Sequence, residues 1–300
     1  MDNILIQLRS AVRDRPPVVL PVTLIVVMAL VALIGNGVVG LSFRPSLLAV
    51  ILPALLMLLI AGWLHARRAD PRFCEGVVYL SLWLFWLPVG ILLSYLTIII
   101  GFPLRDRALA AADAAFGFHW IDMAAAVEQW PWLVSLLGVC YQSCQWQPMV
   151  TVLVIAMIGP RDRNSEFLLQ ILLGLLVTLV ISTFVPAIGP AAAFGVHLPH
   201  EDIVQSLRSG RFQQLPYNGV LCFPSFHTIM AVLFTYAHRG IRPTFWIFVT
   251  LNLGMLASTP YRGDHYLVDI LGGLSVAALV IIFTQNYGFV RRYASVAAAS

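Results

Sequence analysis

Apolar runs long enough to cross a bilayer follow one another along almost the whole chain, and nothing else limits its fold so severely. A helix needs about 20 residues to span a hydrocarbon core of about 30 Å. Runs of roughly that reach lie at 17–41, 47–64, 76–102, 133–158 and 167–188, with three more near 225–238, 244–258 and 265–287. Of the 300 residues, 60% are hydrophobic and 11% charged, at a mean hydropathy of +0.87. Soluble domains carry about 25% charged residues, so lipid must be the solvent here. The expectation is an all-α polytopic membrane bundle of about eight helices. No low-complexity tract, convincing repeat or soluble domain interrupts it.

Arg9, Arg13 and Arg15 precede the first run as they would in a secretory signal. That run is too long for a signal and lacks a clear small-residue cleavage site, so it reads as a retained span. Arginine supplies all 18 basic residues, and its distribution tests orientation. One side of the span map holds twelve: Arg9, Arg13, Arg15, Arg67, Arg68, Arg72, Arg161, Arg163, Arg239, Arg242, Arg291 and Arg292. The other holds six: Arg44, Arg105, Arg107, Arg208, Arg211 and Arg262. Both termini are therefore expected in the cytoplasm, in a bacterial inner membrane. The long loops 103–132 and 189–223 fall on the periplasmic or lumenal face. The net charge of +4 is then an insertion signal and does not imply nucleic acid as a partner.

Two short motifs sit where apolar runs meet polar loops on that outer face. The first is Pro224-Ser225-Phe226-His227; the second is His265-Tyr266-Leu267-Val268-Asp269. Residues four apart stack on one helix face. Asp269 can thus accept a proton from one nitrogen of His265 and leave the other bare as a nucleophile for phosphorus. A carboxylate one turn into a span is costly unless paired, and His265 is its expected partner. Pro224 suits a first helical turn, which would set Ser225, Phe226 and His227 in an opening turn whose free N–H groups attract an anion. Ser225 can donate to a phosphate oxygen, and His227 can protonate a departing alkoxide.

At these residues the chain resembles the type 2 phosphatidic acid phosphatase superfamily, whose membrane members pair Pro-Ser-x-His with a later His-x-x-x-Asp. The resemblance covers roughly 159–287. It implies that His265 attacks phosphorus, Asp269 activates it, His227 protonates the leaving group and Ser225 helps hold the phosphate, with no metal or other cofactor. It divides the chain into N-terminal spans, 1–75, and a phosphatase-like membrane domain, 76–300. The superfamily's first motif, Lys…Arg-Pro, has no counterpart in Pro186-Ala187-Ile188-Gly189-Pro190-Ala191-Ala192-Ala193-Phe194, which holds no base. The usual arginine six residues before the nucleophile is replaced by Thr259, and Arg262 stands three before it. These departures resemble the branch of inositol phosphorylceramide synthase and its bacterial relatives, and so imply an inositolphosphotransferase or another enzyme acting on lipid phosphates among membrane lipids.

Further positive charge for the phosphate is sought in Arg105 and Arg107, which could equally anchor an interfacial helix over 104–116, and in Arg208 and Arg211. The alternative to an enzyme is a lipid transporter or scaffold that keeps the fold without the chemistry. His119, His197 and His200 stand on the outer face without a partner at helical spacing and read as surface residues; His65 and His238 lie on the far side. Cys74, Cys140 and Cys144 read as core residues and Cys222 as a loop residue, with no disulfide framework and no metal. Trp63, Trp83, Trp86, Trp130, Trp132 and Trp146 read as interfacial anchors. Pro53, Pro88 and Pro148 are expected to kink their helices.

Overall fold

The computed structural model describes residues 19–40, 45–160, 162–210 and 219–297, and among these it is helix and loop only. Thirteen α-helices follow in order. The first three are α1 Val19–Val39, α2 Pro45–Ala66 and α3 Pro71–Ile99. Then come α4 Asp106–Ala115, α5 Trp120–Glu128, α6 Pro131–Gln142, a 3-10 turn Ser143–Gln145 and α7 Gln147–Ile158. After α8 Arg163–Phe184 lie two short helices, α9 Pro190–Ala193 and α10 Pro199–Arg208. The chain ends with α11 Phe226–Ala237, α12 Arg242–Arg262 and α13 Leu267–Ala297. Arg9, Arg13, Arg15, Arg44, Arg161 and Arg211 lie outside the described residues, as do the side chains of Arg291 and Arg292.

A helix occupies each of the eight expected runs, and among the described residues α1, α3, α8 and α13 are individually long and apolar enough to cross a membrane. The run at 133–158 is not one helix. Pro131 starts α6 after a bend of 113° from α5, and Pro148 opens α7 where a kink within one helix was expected. Polar side chains take up backbone and hydroxyl groups at the break: Ser143 Oγ donates to the Cys140 carbonyl at 2.5 Å, and Gln147 Nε2 donates to Ser143 Oγ at 2.8 Å. Irregular backbone is tolerated at membrane depth only with such partners.

The bundle centre is α3, α8 and α11, where Trp83 and Trp86, expected as interfacial anchors, are instead buried with Phe167 and Phe234 in a tilted aromatic cluster with centroids 5.2–6.4 Å apart, because their rings fill the space between helices. Helices in lipid gain nothing from hiding from water, so close packing must hold them. Gly174 shows how: a Cβ there would lie 2.9 Å from Ile229. Helix α1 lies against α3 and α8 through Ile25, Met28 and Ala32.

One end of the bundle is locked by ions. Glu166 accepts from Arg239 at 2.5 and 2.7 Å, and Arg163 donates to the carbonyls of Ala237 and Arg239. His238 sits at this end, buried between Thr244 at 2.8 Å and Thr151 at 3.2 Å. Because His238 closes α11 and His227 lies in its first turn, the two imidazoles are at opposite ends of a 12-residue helix.

Candidate active site

Both motifs meet at the other end, and their local geometry departs slightly from the helical reading. Ser225 is the N-cap of α11, its buried Oγ accepting the Thr228 N–H at 3.3 Å, so Pro224 stands outside the helix. Helix α13 begins at Leu267, so His265 is in the preceding loop. One backbone bond joins the motifs: the Ser225 N–H donates to the Asp269 carbonyl at 3.0 Å. Gly272 and Gly273 make this approach feasible. A Cβ on Gly273 would meet the Ser225 carbonyl at 2.6 Å, and one on Gly272 would meet Pro224 Cβ at 3.1 Å.

A single carboxylate oxygen gathers three donors. Asp269 Oδ2 accepts from His265 Nδ1 at 3.0 Å, from the Tyr266 N–H at 2.9 Å and from the Cys222 thiol at 3.2 Å. The Tyr266 bond is the return half of a capping box, an acidic side chain reaching back to the residue before the helix. Asp269 therefore starts the helix and orients the imidazole with the same atom. Its other oxygen is buried without a partner among the described residues. With Nδ1 committed to the carboxylate, His265 presents Nε2 as its free nitrogen.

His227 faces this pair at a ring-centroid distance of 6.3 Å. Its own partner is Tyr141 at the end of α6: hydroxyl and Nδ1 are 3.2 Å apart, and the rings stack at 4.4 Å and 25°. One turn earlier on α6, Gly138 leaves room for Arg262, since a Cβ there would lie 3.5 Å from Nε and Nη2 of its guanidinium. Gly263 is wedged between them all, its notional Cβ 2.8 Å from both His265 Cδ2 and the Tyr141 ring. His265, Asp269, His227, Ser225 and Arg262 are thus neighbours.

The chain also matches a known family: the model for the PAP2 superfamily fits residues 107–283, more than half of the chain. The chain belongs to the PAP2 superfamily. No curated protein and no solved structure matches it. The family match begins at Arg107 and so reaches further towards the N-terminus than the 159–287 resemblance, taking in α4 to α7. Superfamily membership gives the coarse activity: a membrane enzyme class of phosphatases and phosphotransferases for lipid phosphates.

Within this PAP2 fold, three aspartates that the motifs do not include frame the site. Asp113 on α4 caps α13 from outside, its two oxygens accepting the Leu267 and Val268 N–H groups at 2.8 and 2.9 Å. Asp106 accepts from the N–H groups of Ile188 and Gly189, each at 3.0 Å, and from the Tyr266 hydroxyl at 3.1 Å. Asp264 holds the Ala191 N–H at 2.8 Å and lies 3.1 Å from His200 Nε2. Asp264 has a φ of +50°, a region that Asp tolerates better than most residues. A Cβ on Gly189, whose φ is +146°, would run into its carboxylate. The baseless stretch 186–194 is therefore fastened down by acids.

His197 is exposed, as a surface residue should be, and His200 is half-buried; both have acidic partners. His200 pairs with buried Asp264, and His197 does have a partner at helical spacing, Glu201, at 3.1 Å. His197 also lies 3.3 Å from Asp202, and its carboxylate neighbours, Glu201 first, raise its pKa. His119 is exposed just before α5. Arg105 and Arg107 are exposed at the start of α4, which replaces the expected 104–116 helix with a shorter one. Arg208 donates to the carbonyls of Gly101 and Phe102 at 3.3 and 2.9 Å, and so ties α10 to the end of α3.

Burial dominates the acid–base character of the loop residues. It pushes the Cys222 thiol well above its usual range, with the Asp269 charge adding to it. Burial likewise raises Tyr266, beside Asp106, and raises Asp113 against the opposing pull of its two backbone donors. Donor atoms of Cys222, His265 and Asp269 lie within 4.8 Å of one another, the spacing of a metal ligand set. In the arrangement seen they are bound to each other by hydrogen bonds.

Proposed function

We propose that the protein transfers a lipid-linked phosphate through a phosphohistidine on His265, at the periplasmic or lumenal surface of the membrane. The observation that carries this reading is the pair of imidazoles 6.3 Å apart, one held by a carboxylate and the other by a phenol. His265 Nε2 attacks phosphorus while Asp269 disperses the charge the ring acquires. The P–O bond to the lipid breaks, and the Nε2 proton of cationic His227 passes to the leaving alkoxide. An acceptor hydroxyl then gives its proton back to His227 as its oxygen attacks, the P–N bond breaks, and its electron pair returns to His265. No metal is required by these steps.

Arg262 is the clamp this reading favours, since its exposed guanidinium lies beside the pair and no ion pair of it is found among the described residues. Arg105 and Arg107 supply further charge at the rim, and Ser225 keeps its own hydroxyl proton for a phosphate oxygen. Acids occupy the N–H groups of the 186–194 stretch, so that stretch offers the phosphate neither base nor free amide at those positions. Water as acceptor makes the enzyme a phosphatase and an alcohol such as inositol makes it an inositolphosphotransferase, with the same steps in both.

The test is turnover by purified protein of a panel of lipid phosphates, with and without inositol, scoring free phosphate against new lipid. His265→Ala is expected to abolish turnover and His119→Ala to leave it intact. Orthovanadate, a mimic of five-coordinate phosphorus, is expected to inhibit and thermally stabilise the wild type. Equal activity in the two variants, with indifference to vanadate, would instead favour a transporter or scaffold.

A further inference from the structure

The two imidazoles differ in what holds them, and the difference is chemical. A carboxylate partner stabilises a positive ring, which suits His265 as it bonds to phosphorus. A phenol oxygen is neutral: it fixes the ring plane without opposing loss of a proton. We infer that Tyr141 is the positioning residue of the proton shuttle, holding His227 so that its Nε2 faces the leaving oxygen in both halves of the reaction. This rests on the phosphohistidine reading above and adds to it a residue in neither motif.

Three observations converge on Tyr141. Its hydroxyl is 3.2 Å from His227 Nδ1. Its ring lies flat on the imidazole at 4.4 Å, so both the tilt and the rotation of His227 are constrained. Its other edge is set by Gly263, where any Cβ would press on Tyr141 and His265 together at 2.8 Å. The phenol also suits a group that cycles. While His227 is cationic, and after its Nε2 has given up a proton, Nδ1–H donates to the Tyr141 oxygen. In the opposite neutral tautomer the phenol donates to Nδ1 instead. No partner has to move between these states.

Substrates with different leaving groups test this directly. An alkoxide leaving group needs the shuttle's proton, whereas p-nitrophenolate leaves without one. Tyr141→Phe keeps the stacked ring and removes only the hydroxyl. It is expected to lower kcat about tenfold on a lipid phosphate, the worth of one hydrogen bond of about 1.4 kcal/mol, with KM unchanged and the rate of the first-turnover burst of p-nitrophenolate from p-nitrophenyl phosphate retained. His227→Ala should show the same selectivity more strongly, and His265→Ala should lose both substrates. A p-nitrophenolate burst slowed as much as lipid-phosphate turnover in Tyr141→Phe, or no loss on either, would overturn the inference while leaving the phosphohistidine reading standing. Retained activity in His265→Ala would remove that reading itself. A melting curve of Tyr141→Phe matching the wild type excludes misfolding as the cause of any loss.

Discussion

Substitution of one glycine tests whether the contact between α11 and α13 sets the catalytic distance. Gly273 faces the Ser225 carbonyl and Thr228, and an alanine Cβ there would begin at 2.6 Å from the oxygen and 2.7 Å from Thr228 Cβ. Ordinary contacts begin at 3.4 Å, so the helices must part by up to 0.8 Å at this point. The nearby Ser225 N–H bond to Asp269, now 3.0 Å, lies directly in the path of that motion. Overpacking of this sort costs about 1–3 kcal/mol. A displacement near 1 Å can cost up to about 100-fold in rate when groups must be aligned. Gly273→Ala is therefore expected to lower the melting temperature and to cut kcat by tens of fold. Gly62→Ala is the matched control, because nothing lies within 4 Å of a Cβ there, and helix propensity alone should stabilise it by about 0.5–1 kcal/mol. Enzyme assays and thermal unfolding in detergent read both variants. Wild-type kcat in Gly273→Ala, with melting no lower than Gly62→Ala, would refute the claim that this approach sets the site.

Two other substitutions address the frame around the pair. Asp113→Ala deprives the Leu267 and Val268 N–H groups of α13 of their acceptor, and a lost cap costs about 0.5–2 kcal/mol; unchanged thermal unfolding would count against it, and Asp113→Asn should recover part of the loss. Cys222 is buried and its pKa is raised above the ordinary 9.0, so maleimide is expected to leave it unlabelled in folded protein at pH 8 and to label it after denaturation. Cys222→Ser, which keeps a donor to Asp269, should retain most activity, whereas Cys222→Ala should lose several-fold; equal activity in the two would show the thiol donor to be dispensable.

Much of this architecture is legible without coordinates, for physical reasons that also explain what is not. Apolar length places a helix at each run because lipid leaves the backbone no alternative. Spacing of four links His265 to Asp269 even though only Asp269 lies on the helix, since the Asp269 side chain reaches back past the start of α13 to Nδ1 at 3.0 Å. The same spacing in His197 and Glu201 is equally readable. The break at 143–145 carries a visible signal as well, polar Gln142, Ser143, Gln145 and Gln147 followed by Pro148 in an apolar run. Asp113, Asp106 and Tyr141 are different. They meet their partners across 154, 160 and 86 residues, and no local period encodes a contact of that reach.

Acids crowd a site proposed to receive an anion, and their hydrogen bonds resolve the conflict. Asp106, Asp113, Asp264 and Asp269 each face backbone N–H donors, and His265 and Cys222 add to Asp269. A carboxylate whose oxygens are met by N–H dipoles projects little field beyond them, particularly where water is scarce. Every one of those bonds also pins a loop: 186–191 through Asp106 and Asp264, and 266–268 through Asp113 and Asp269. Loops pinned in this way would let few guanidinium groups, that of Arg262 with those of Arg105 and Arg107 at the rim, serve the proposed site, because the cost of ordering it has already been met in folding. The 186–194 stretch thus holds no base, and Asp106 and Asp264 hold its N–H groups, so what it brings to the site is order and not charge.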